Sequence, residues 1–297
     1  AKQSGTKWIE NFMPPVVTGT IVMVIGLNLA GAAKNDFVVD PVLGLITLIA
    51  VGFIGAFFKG FIGRISIFGG LIVGYVVAAF MGKVDFAGVN SAAWVGLPTF
   101  TTPTFSSSAI LLFLPVVLVL IAENIGHVKA VAAMTGKSLD SQVGNALMAD
   151  GAATTLAGLG GGSGTTTYAE NIGVMAASRV YSTLAYIVAG VGAILLALSP
   201  KFGAVLAATP AGVKGGVTVA LFGMIGVLGA RIWIDAKVDF ANTTNLYIAA
   251  SALIIGISDM SWTSGKFAFS GIINATLMAV VGYQVLSRIA KARKTSK

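Results

Sequence analysis

Two stretches of this sequence are nearly free of charge and long enough to form membrane-spanning helices. Residues 14–33 are PPVVTGTIVMVIGLNLAGAA, and residues 266–286 are KFAFSGIINATLMAVVGYQVL. A helix of about 20 residues crosses a hydrocarbon core of about 30 Å. Charged residues make up only 10% of the chain, against about 25% in soluble domains, and the mean hydropathy is +0.90. The sequence therefore predicts an all-α integral membrane protein.

The apolar runs predict about ten transmembrane segments. One of them is predicted as a broken span, because GGGSGTTTY carries glycines and β-branched threonines that favour extended chain, whereas ENIGVMAASRVY after it has helical character. Extended backbone at membrane depth is tolerated where it lines a cavity or packs in protein, so this span indicates a binding site. The predicted spans are 13–33, 40–58, 64–82, 111–133, 141–159, 163–178 (the broken one), 180–199, 210–230, 243–258 and 266–288.

The cations predict the orientation of these spans. If the tail RIAKARKTSK is cytoplasmic, alternation places 14 of the 19 lysines and arginines on the cytoplasmic side. This asymmetry follows the positive-inside rule, so both termini of the chain are predicted to be cytoplasmic and segment 84–105 to be an external, extended or interfacial connection. The net charge of +8 then reflects lipid orientation, and no basic-aromatic module for nucleic acid is present.

Several chemistries are excluded by the residues available. There is no cysteine and only one histidine, which removes thiol catalysis and zinc clusters. The glycine-rich GLGGGSGTTT fits neither of the nucleotide-binding motifs G-x-x-x-x-G-K-[ST] and G-x-G-x-x-G. The G-x-S-x-G motif of serine hydrolases does not occur in the sequence. The sequence therefore predicts no enzyme and no cofactor. The start, AKQSGTKWIENF, lacks an initiator Met and the apolar core of a signal peptide, which suggests a chain that begins partway through a longer one.

Glu123 and His127 form the first candidate site. Glu123 lies near the middle of an apolar run, and His127 follows at i+4, so both project from one face of a helix. An acid at this depth costs several kcal/mol and usually faces a cavity or a proton pathway. The alternative is a buried pair that only joins two helices.

Glu170 begins the half-helix of the broken span, where free N–H groups and the positive end of the helix dipole meet a cavity. The alternative is a first-turn acid without a ligand. Tyr168 is as well explained by packing as by a place in the site.

Asp150, among small residues, is interpreted as structural support that bonds a broken neighbour, and Asn28 as a link between helices. Two glycine-rich stretches, GGLIVGY (69–75) and VAGVGA (188–193), are predicted to let helices approach closely.

Two motifs, AENIGHV at 122–128 and TTTYAENIGVMAASRVYS at 165–182, resemble the nucleobase–cation symporter-2 family, and within it the bacterial uracil permeases. The resemblance extends through nearly the whole chain. It implies a fold of fourteen spans in two inverted repeats, of which this chain would hold spans 5 to 14 and lack the first four. It further implies gate-type spans 5 to 7 with an external connection in residues 1–105, core spans 8 to 11 with the substrate site in 106–200, and gate-type spans 12 to 14 with a basic cytoplasmic tail in 201–297.

The resemblance also implies roles for individual residues. Glu123, Glu170, Tyr168 and Ala169 would bind substrate, the last through its backbone N–H. Glu123 and His127 would couple transport to protons, and Asn171 would support the site together with Asp150. Many uracil permeases have Gly at the position of Ala169, and purine-transporting relatives often have Gln at that of Glu170.

The expected function is import of uracil by proton symport across the bacterial cytoplasmic membrane. Uracil has two ring N–H donors for carboxylates and carbonyls that accept from backbone N–H groups. The expected partners are uracil, protons and membrane lipid, with a homodimer left open and no nucleic acid. Two alternatives remain: a xanthine or purine permease of the same family, and a truncated membrane component that does not transport.

Overall fold

The computed structural model describes residues 12–168, 171–172, 175, 179–264 and 267–295. Helices account for nearly all of its regular structure, as predicted for an all-α protein. The helices are α1 Pro15–Asn28, α2 Ala30–Phe37, α3 Pro41–Phe57, α4 Phe61–Arg64, α5 Ser66–Phe80, α6 Ala87–Ser91, α7 Ser107–Thr135, α8 Val143–Leu159, α9 Thr183–Ala197, α10 Pro200–Ala207, α11 Ala211–Asp235, α12 Thr243–Ile257, α13 Gly271–Leu277 and α14 Tyr283–Thr295, with strands β1 Trp262–Ser264 and β2 Phe267–Phe269. A 3₁₀ turn, Asp140–Gln142, precedes α8, and a π turn, Met278–Gly282, joins α13 to α14.

Polar caps and prolines mark where the apolar helices begin. Asp40 accepts a hydrogen bond from the backbone N–H of Leu43 at 3.2 Å, and proline is the first residue of α3. Ser199 caps α10 in the same way, again ahead of a proline. Asn242 caps α12 through the N–H of Thr244 at 2.9 Å. These side chains satisfy orphan N–H groups, and proline there loses no helical bond.

Each predicted span except 163–178 overlaps one or two helices over most of its length, although 266–288 includes strand β2. Three helical rods of the described chain are long and apolar enough to cross a membrane, namely Pro15–Phe37, Ala211–Asp235 and Gly271–Arg293. The pair α9 and α10 would make a fourth if it is one span, although it bends by 81° at its break. Three shorter apolar helices are α3, α5 and α12. The count of ten crossings and the inverted-repeat arrangement remain predictions.

Large apolar side chains cover much of the surface. Phe80 is 89% exposed, Phe105 is 88% exposed, and none of the residues of α9 is buried. Soluble monomers rarely expose apolar patches of this extent, because water disfavours them. Hydrocarbon has no such cost, so this surface agrees with an integral membrane protein.

A two-stranded hairpin precedes the last long helix, where the sequence predicted helix from residue 266 onward. Strand β1 pairs antiparallel with β2, and the rings of Trp262 and Phe269 stack with centroids 4.3 Å apart. Mean hydropathy does not distinguish an aromatic strand from a helix. The alternation of aromatic and small residues around a Ser-Gly step is the local signal for the strand pair.

The described chain folds into two compact units. The first takes in the described residues of Ala1–Ala30, Pro103–Thr167 and Phe222–Lys297, and the second takes in those of Gly31–Thr102 and Tyr168–Leu221. The division into gate and core at residues 105 and 200 remains a prediction.

In the first unit, α1 crosses α11 at very short distance. A Cβ added to Gly19 would lie 2.8 Å from the carbonyl oxygen of Gly229, and one added to Gly26 would lie 2.5 Å from that of Phe222. The Asn28 side chain on α1 donates a hydrogen bond to the carbonyl of Gly256 on α12 at 2.7 Å. Asn28 therefore links two helices, as predicted. Ile21 and Ile248 lie in the buried core of this unit.

In the second unit, α3 packs along α5 through the glycines of GGLIVGY. A Cβ on Gly70 would lie 2.9 Å from the backbone nitrogen of Val51, and one on Gly74 would overlap the hydroxyl of Thr47. The close approach predicted for residues 69–75 is therefore confirmed. No described residue lies within 4 Å of a Cβ at Gly190 or Gly192, so the close approach expected for 188–193 remains a prediction.

Gly70→Ala is expected to lower the melting temperature of the protein in detergent. The new methyl group would meet the backbone of Val51, and overpacking of this kind costs about 1 to 3 kcal/mol. Gly52→Ala, on the facing helix α3, is the matched control, because its Cβ meets open space and alanine favours helix. Melting followed by tryptophan fluorescence compares the two. Equal melting temperatures would show that the α3–α5 contact is not this close.

Candidate functional site

The predicted acid and histidine lie on α7, the longest helix of the described chain. Ser106 caps its start, and Gly136 ends it in the left-handed conformation at φ 67° that glycine adopts without strain. Its 29 residues extend about 44 Å at 1.5 Å per residue, enough to hold both residues well inside a membrane. Glu123 and His127 are half-buried, one helical turn apart.

The polar segment before the predicted half-helix lies against α7. Residues 162–168 form neither helix nor strand, whereas residues 171, 172 and 175 are helical. The hydroxyl of Thr166 donates to the carboxylate of Glu123 at 3.4 Å. The hydroxyl of Thr167 lies 2.6 Å from Nδ1 of His127. The interrupted segment therefore contacts both residues of the i, i+4 pair.

A third threonine fixes the same segment to α8. The hydroxyls of Thr165 and Thr154 lie 2.9 Å apart, and the Thr154 hydroxyl also lies 3.1 Å from the backbone nitrogen of Thr165. Among the described residues, no ladder of strand hydrogen bonds holds this segment. Side-chain hydroxyls thus supply bonds to the two flanking helices.

Asn124 and Asp150 join α7 to α8 next to the acid. The Asn124 side chain is fully buried and donates from Nδ2 to the Asp150 carboxylate at 2.9 Å. Its Oδ1 has no hydrogen-bond partner among the residues that the structure describes. Asp150 was expected to bond a broken neighbour, but the partner lies on the unbroken helix α7. Its role as structural support remains a prediction.

Asp150→Ala is expected to destabilise the protein by about 1 to 3 kcal/mol, because the buried Asn124 amide would lose its acceptor. Asp150→Asn keeps an acceptor oxygen and should recover most of the melting temperature. Asp140→Ala is the control, since that carboxylate is exposed on the preceding turn. If Asp150→Ala melts like Asp140→Ala, the buried pair does not support the packing of α8 on α7.

The remaining predicted site residues are distributed differently. Glu170 and Ala169 lie outside the described residues. Tyr168 is 61% exposed, and its carbonyl accepts from the backbone N–H of Asn171 at 3.2 Å. Asn171 itself is exposed. The substrate and support roles of these four residues remain predictions.

Sequence reasoning did not assign Thr166, Thr167 or Asn124 to the site. The signal for the threonines was their position, directly before the Tyr-Ala-Glu of the half-helix. Asn124 could have been noticed as the residue that follows an intramembrane acid. Among the described residues, no three His, Cys, Asp or Glu side chains cluster as they would around a metal ion.

An open groove of about 380 Å³ lies beside the first turns of α7. Apolar side chains such as Phe105, Ile110 and Phe113 make up most of its lining. None of the described site residues lines this groove, and a nucleobase needs several hydrogen-bonding partners. The polar cluster around Glu123 is therefore the better candidate.

A sequence profile described as "Permease family", for xanthine and uracil permeases, matches residues 1–265. This chain belongs to the nucleobase–cation symporter-2 family. The family membership predicted from AENIGHV and TTTYAENIG is thereby confirmed. The symporter-2 family consists of transport proteins, which agrees with the expectation that the chain is not an enzyme.

Relatives in the symporter-2 family cover almost all of this chain. A provisionally assigned pyrimidine permease of Escherichia coli (strain K12), RutG, is 48% identical over 294 residues, which are 96% of this chain and 66% of RutG. The uracil permease of Paenibacillus larvae is 40% identical over 94% of this chain and 70% of its own length. The uracil permease of Escherichia coli (strain K12) is 39% identical over 94% of this chain and 68% of its own. The chain thus spans about two thirds of the length of these relatives.

Proposed function

We propose that this chain forms the substrate and proton site of a permease that imports uracil by proton symport. The observation that carries the proposal is the contact of Glu123 and His127, on one face of α7, with Thr166 and Thr167 of the interrupted segment. An acid and a histidine at membrane depth mark a substrate or proton pathway. Uracil permeases among the relatives give the chemical class of the substrate.

Uracil matches the donors and acceptors that this site would offer. Its two ring N–H groups can each donate to a carboxylate, supplied by Glu123 and, at the head of the half-helix, by Glu170. Its two carbonyl oxygens can accept from backbone N–H groups at the start of that half-helix, such as that of Ala169. Tyr168 would border the ring. The base would then lie between spans 8 and 10 of the fourteen-span family fold.

Proton coupling requires a group in the site that gains and loses a proton during each transport cycle. Glu123 would gain a proton on the outside and release it inside in each transport cycle. His127, one turn along the same face, carries an imidazole that can donate or accept a proton, so it can orient the acid or relay its proton. Movement of a core domain against a gate domain would expose the site alternately to the two sides.

Contacts within each unit support the predicted alternation of the spans. Trp233 donates to the carbonyl of Val16 at 3.1 Å, and Gln284 to that of Phe12 at 2.8 Å. In the predicted topology all four residues lie toward the cytoplasmic ends of their spans. Residues that the topology places at the external ends also contact one another. Lys83 forms a salt bridge with Asp40, and Asn28 donates to the carbonyl of Gly256. The Lys201 ammonium lies 4.8 Å from the centre of the Trp94 ring.

Competition for uptake tests the proposed substrate. Cells that express the full-length permease in a background without uracil uptake are expected to accumulate radiolabelled uracil, and excess unlabelled uracil should compete whereas xanthine should not. Accumulation should collapse when a protonophore removes the proton gradient. Strong competition by xanthine would favour the purine permease alternative. Absence of any nucleobase uptake by correctly inserted protein would favour the membrane component that does not transport.

A further inference from the structure

The hydrogen bond between Thr167 and His127 is short and joins two different elements. The Thr167 hydroxyl oxygen lies 2.6 Å from Nδ1 of the His127 ring, and both side chains are half-buried. Thr165, two residues earlier, fixes the same segment to α8 through Thr154. The Thr167 hydroxyl is therefore held beside the ring by the backbone of a segment that is anchored independently.

A hydroxyl at this position suits both protonation states of the imidazole. It can donate its O–H to Nδ1 of the neutral ring, and it can accept N–H from Nδ1 of the imidazolium. Rotation of the hydroxyl hydrogen is enough to change between these two bonds, so the ring need not turn. The bond to the imidazolium is charge-assisted and hence the stronger of the two.

We propose that Thr167 is a positioning residue for His127, whose hydroxyl holds Nδ1 in both protonation states and keeps the ring in one orientation through the proton cycle. The proton-coupling role of His127 itself rests on the proposed function. The positioning role of Thr167 rests on the geometry of the bond and is testable without transport.

Charged groups on α7 and on the elements packed against it affect the titration of His127. Glu123 lies on the same face of α7, and Lys129 and Lys137 follow on or just after that helix. Two carboxylates, Asp150 and Asp140, lie on α8 and on the 3₁₀ turn that pack against α7. Helices α1 and α13 and strand β2, which also pack against α7, have no titratable residue in their sequences. A conservative change at Thr167 leaves all of these charges in place.

The sole histidine of the chain makes a direct measurement feasible. With selectively ¹⁵N-labelled histidine and a purification tag free of histidine, the imidazole signal that is lost in His127→Gln reports on His127 in an NMR titration of the protein in nanodiscs. Thr167→Val keeps the shape of the side chain but loses the hydroxyl. The titration midpoint is expected to fall by about one pH unit, because the imidazolium loses the stronger bond. Thr167→Ser should restore the wild-type midpoint.

Two further variants secure the interpretation. Thr167→Ala also lacks the hydroxyl and occupies less volume, so it replaces Thr167→Val if the latter does not fold; it should give the same downward shift. Thr155→Val removes an exposed hydroxyl of α8 that donates to the carbonyl of Gly151, and it should leave the midpoint unchanged. An unchanged or raised midpoint in the variants without a hydroxyl would overturn the proposal, as would an equal shift in Thr167→Ser. Failure of the wild-type protein to take up uracil would overturn the proposed function and leave this titration result standing.

Discussion

Replacing Glu123 with glutamine is expected to abolish proton-driven accumulation of uracil. The amide cannot take up and release a proton, and a hydrogen bond to a charged acceptor contributes about 1.5 to 3 kcal/mol. The amide oxygen still accepts a hydrogen bond but carries no charge, so uracil binding should weaken about 10-fold. Uptake of radiolabelled uracil by energised cells, measured over a range of pH, separates the two effects. The residual uptake should neither exceed equilibrium nor respond to pH.

Asp235→Asn is the matched control for this experiment. It makes the same chemical change in a carboxylate that is 68% exposed and paired with Arg231 on α11. Uptake by this variant should follow the wild-type pH dependence. Wild-type accumulation by Glu123→Gln, with its pH dependence intact, would remove Glu123 from the coupling mechanism.

Glu170→Gln is expected to shift the substrate preference from uracil toward xanthine. A carboxylate only accepts, and it matches a ring N–H of uracil, whereas an amide both donates and accepts. Purine-transporting relatives often carry glutamine at this position, as the family resemblance implies. Uracil affinity should fall about 10-fold with the loss of a charge-assisted bond, while xanthine becomes an effective competitor.

Competition curves for uracil and xanthine in the same cells measure this shift as a ratio of half-inhibitory concentrations. Glu170→Asp keeps the charge on a shorter side chain and should retain the preference for uracil at lower affinity. A wild-type ratio in Glu170→Gln would contradict the placement of Glu170 beside the substrate.

The helical part of the fold was largely predictable, because its signals are local. Runs of apolar residues and start signals such as Asp40 with Pro41 locate helices in sequence without knowledge of their partners. The bend of 81° between α9 and α10 was not predicted, because Ser199 and Pro200 mark the end of one helix and the start of the next but do not give the direction of the second helix. That bend lies where Gly96 and Ala93 of the segment after α6 exchange backbone hydrogen bonds with Leu198 and Lys201, at 2.9 Å each. Contacts between distant segments of this kind leave no local pattern.

Glycine positions show the same limit. The sequence treats GGLIVGY and VAGVGA alike, yet Gly70 lies against Val51 whereas no described residue lies within 4 Å of a Cβ at Gly190. Small residues permit close packing of helices, but which helix approaches depends on the rest of the fold.

In the candidate site, the acid and histidine on one face followed from helical spacing alone. The partners of these residues did not, because they depend on where the non-helical segment crosses α7. A shift of that segment by one residue would place Thr165 and Thr166, instead of Thr166 and Thr167, beside Glu123 and His127. Asn124 was missed for a related reason, since only its burial and its bond to Asp150 distinguish it from an ordinary interhelical amide.

Calorimetric titration of the purified protein with uracil, xanthine and uric acid, repeated on Glu123→Gln, is the most direct measurement of whether uracil binds at the acid on α7. Uracil is expected to bind to the wild-type protein with the highest affinity of the three and to bind about 10-fold more weakly to Glu123→Gln. Equal uracil affinity in the two proteins, or tighter binding of xanthine than of uracil by the wild type, would contradict a uracil site built on Glu123.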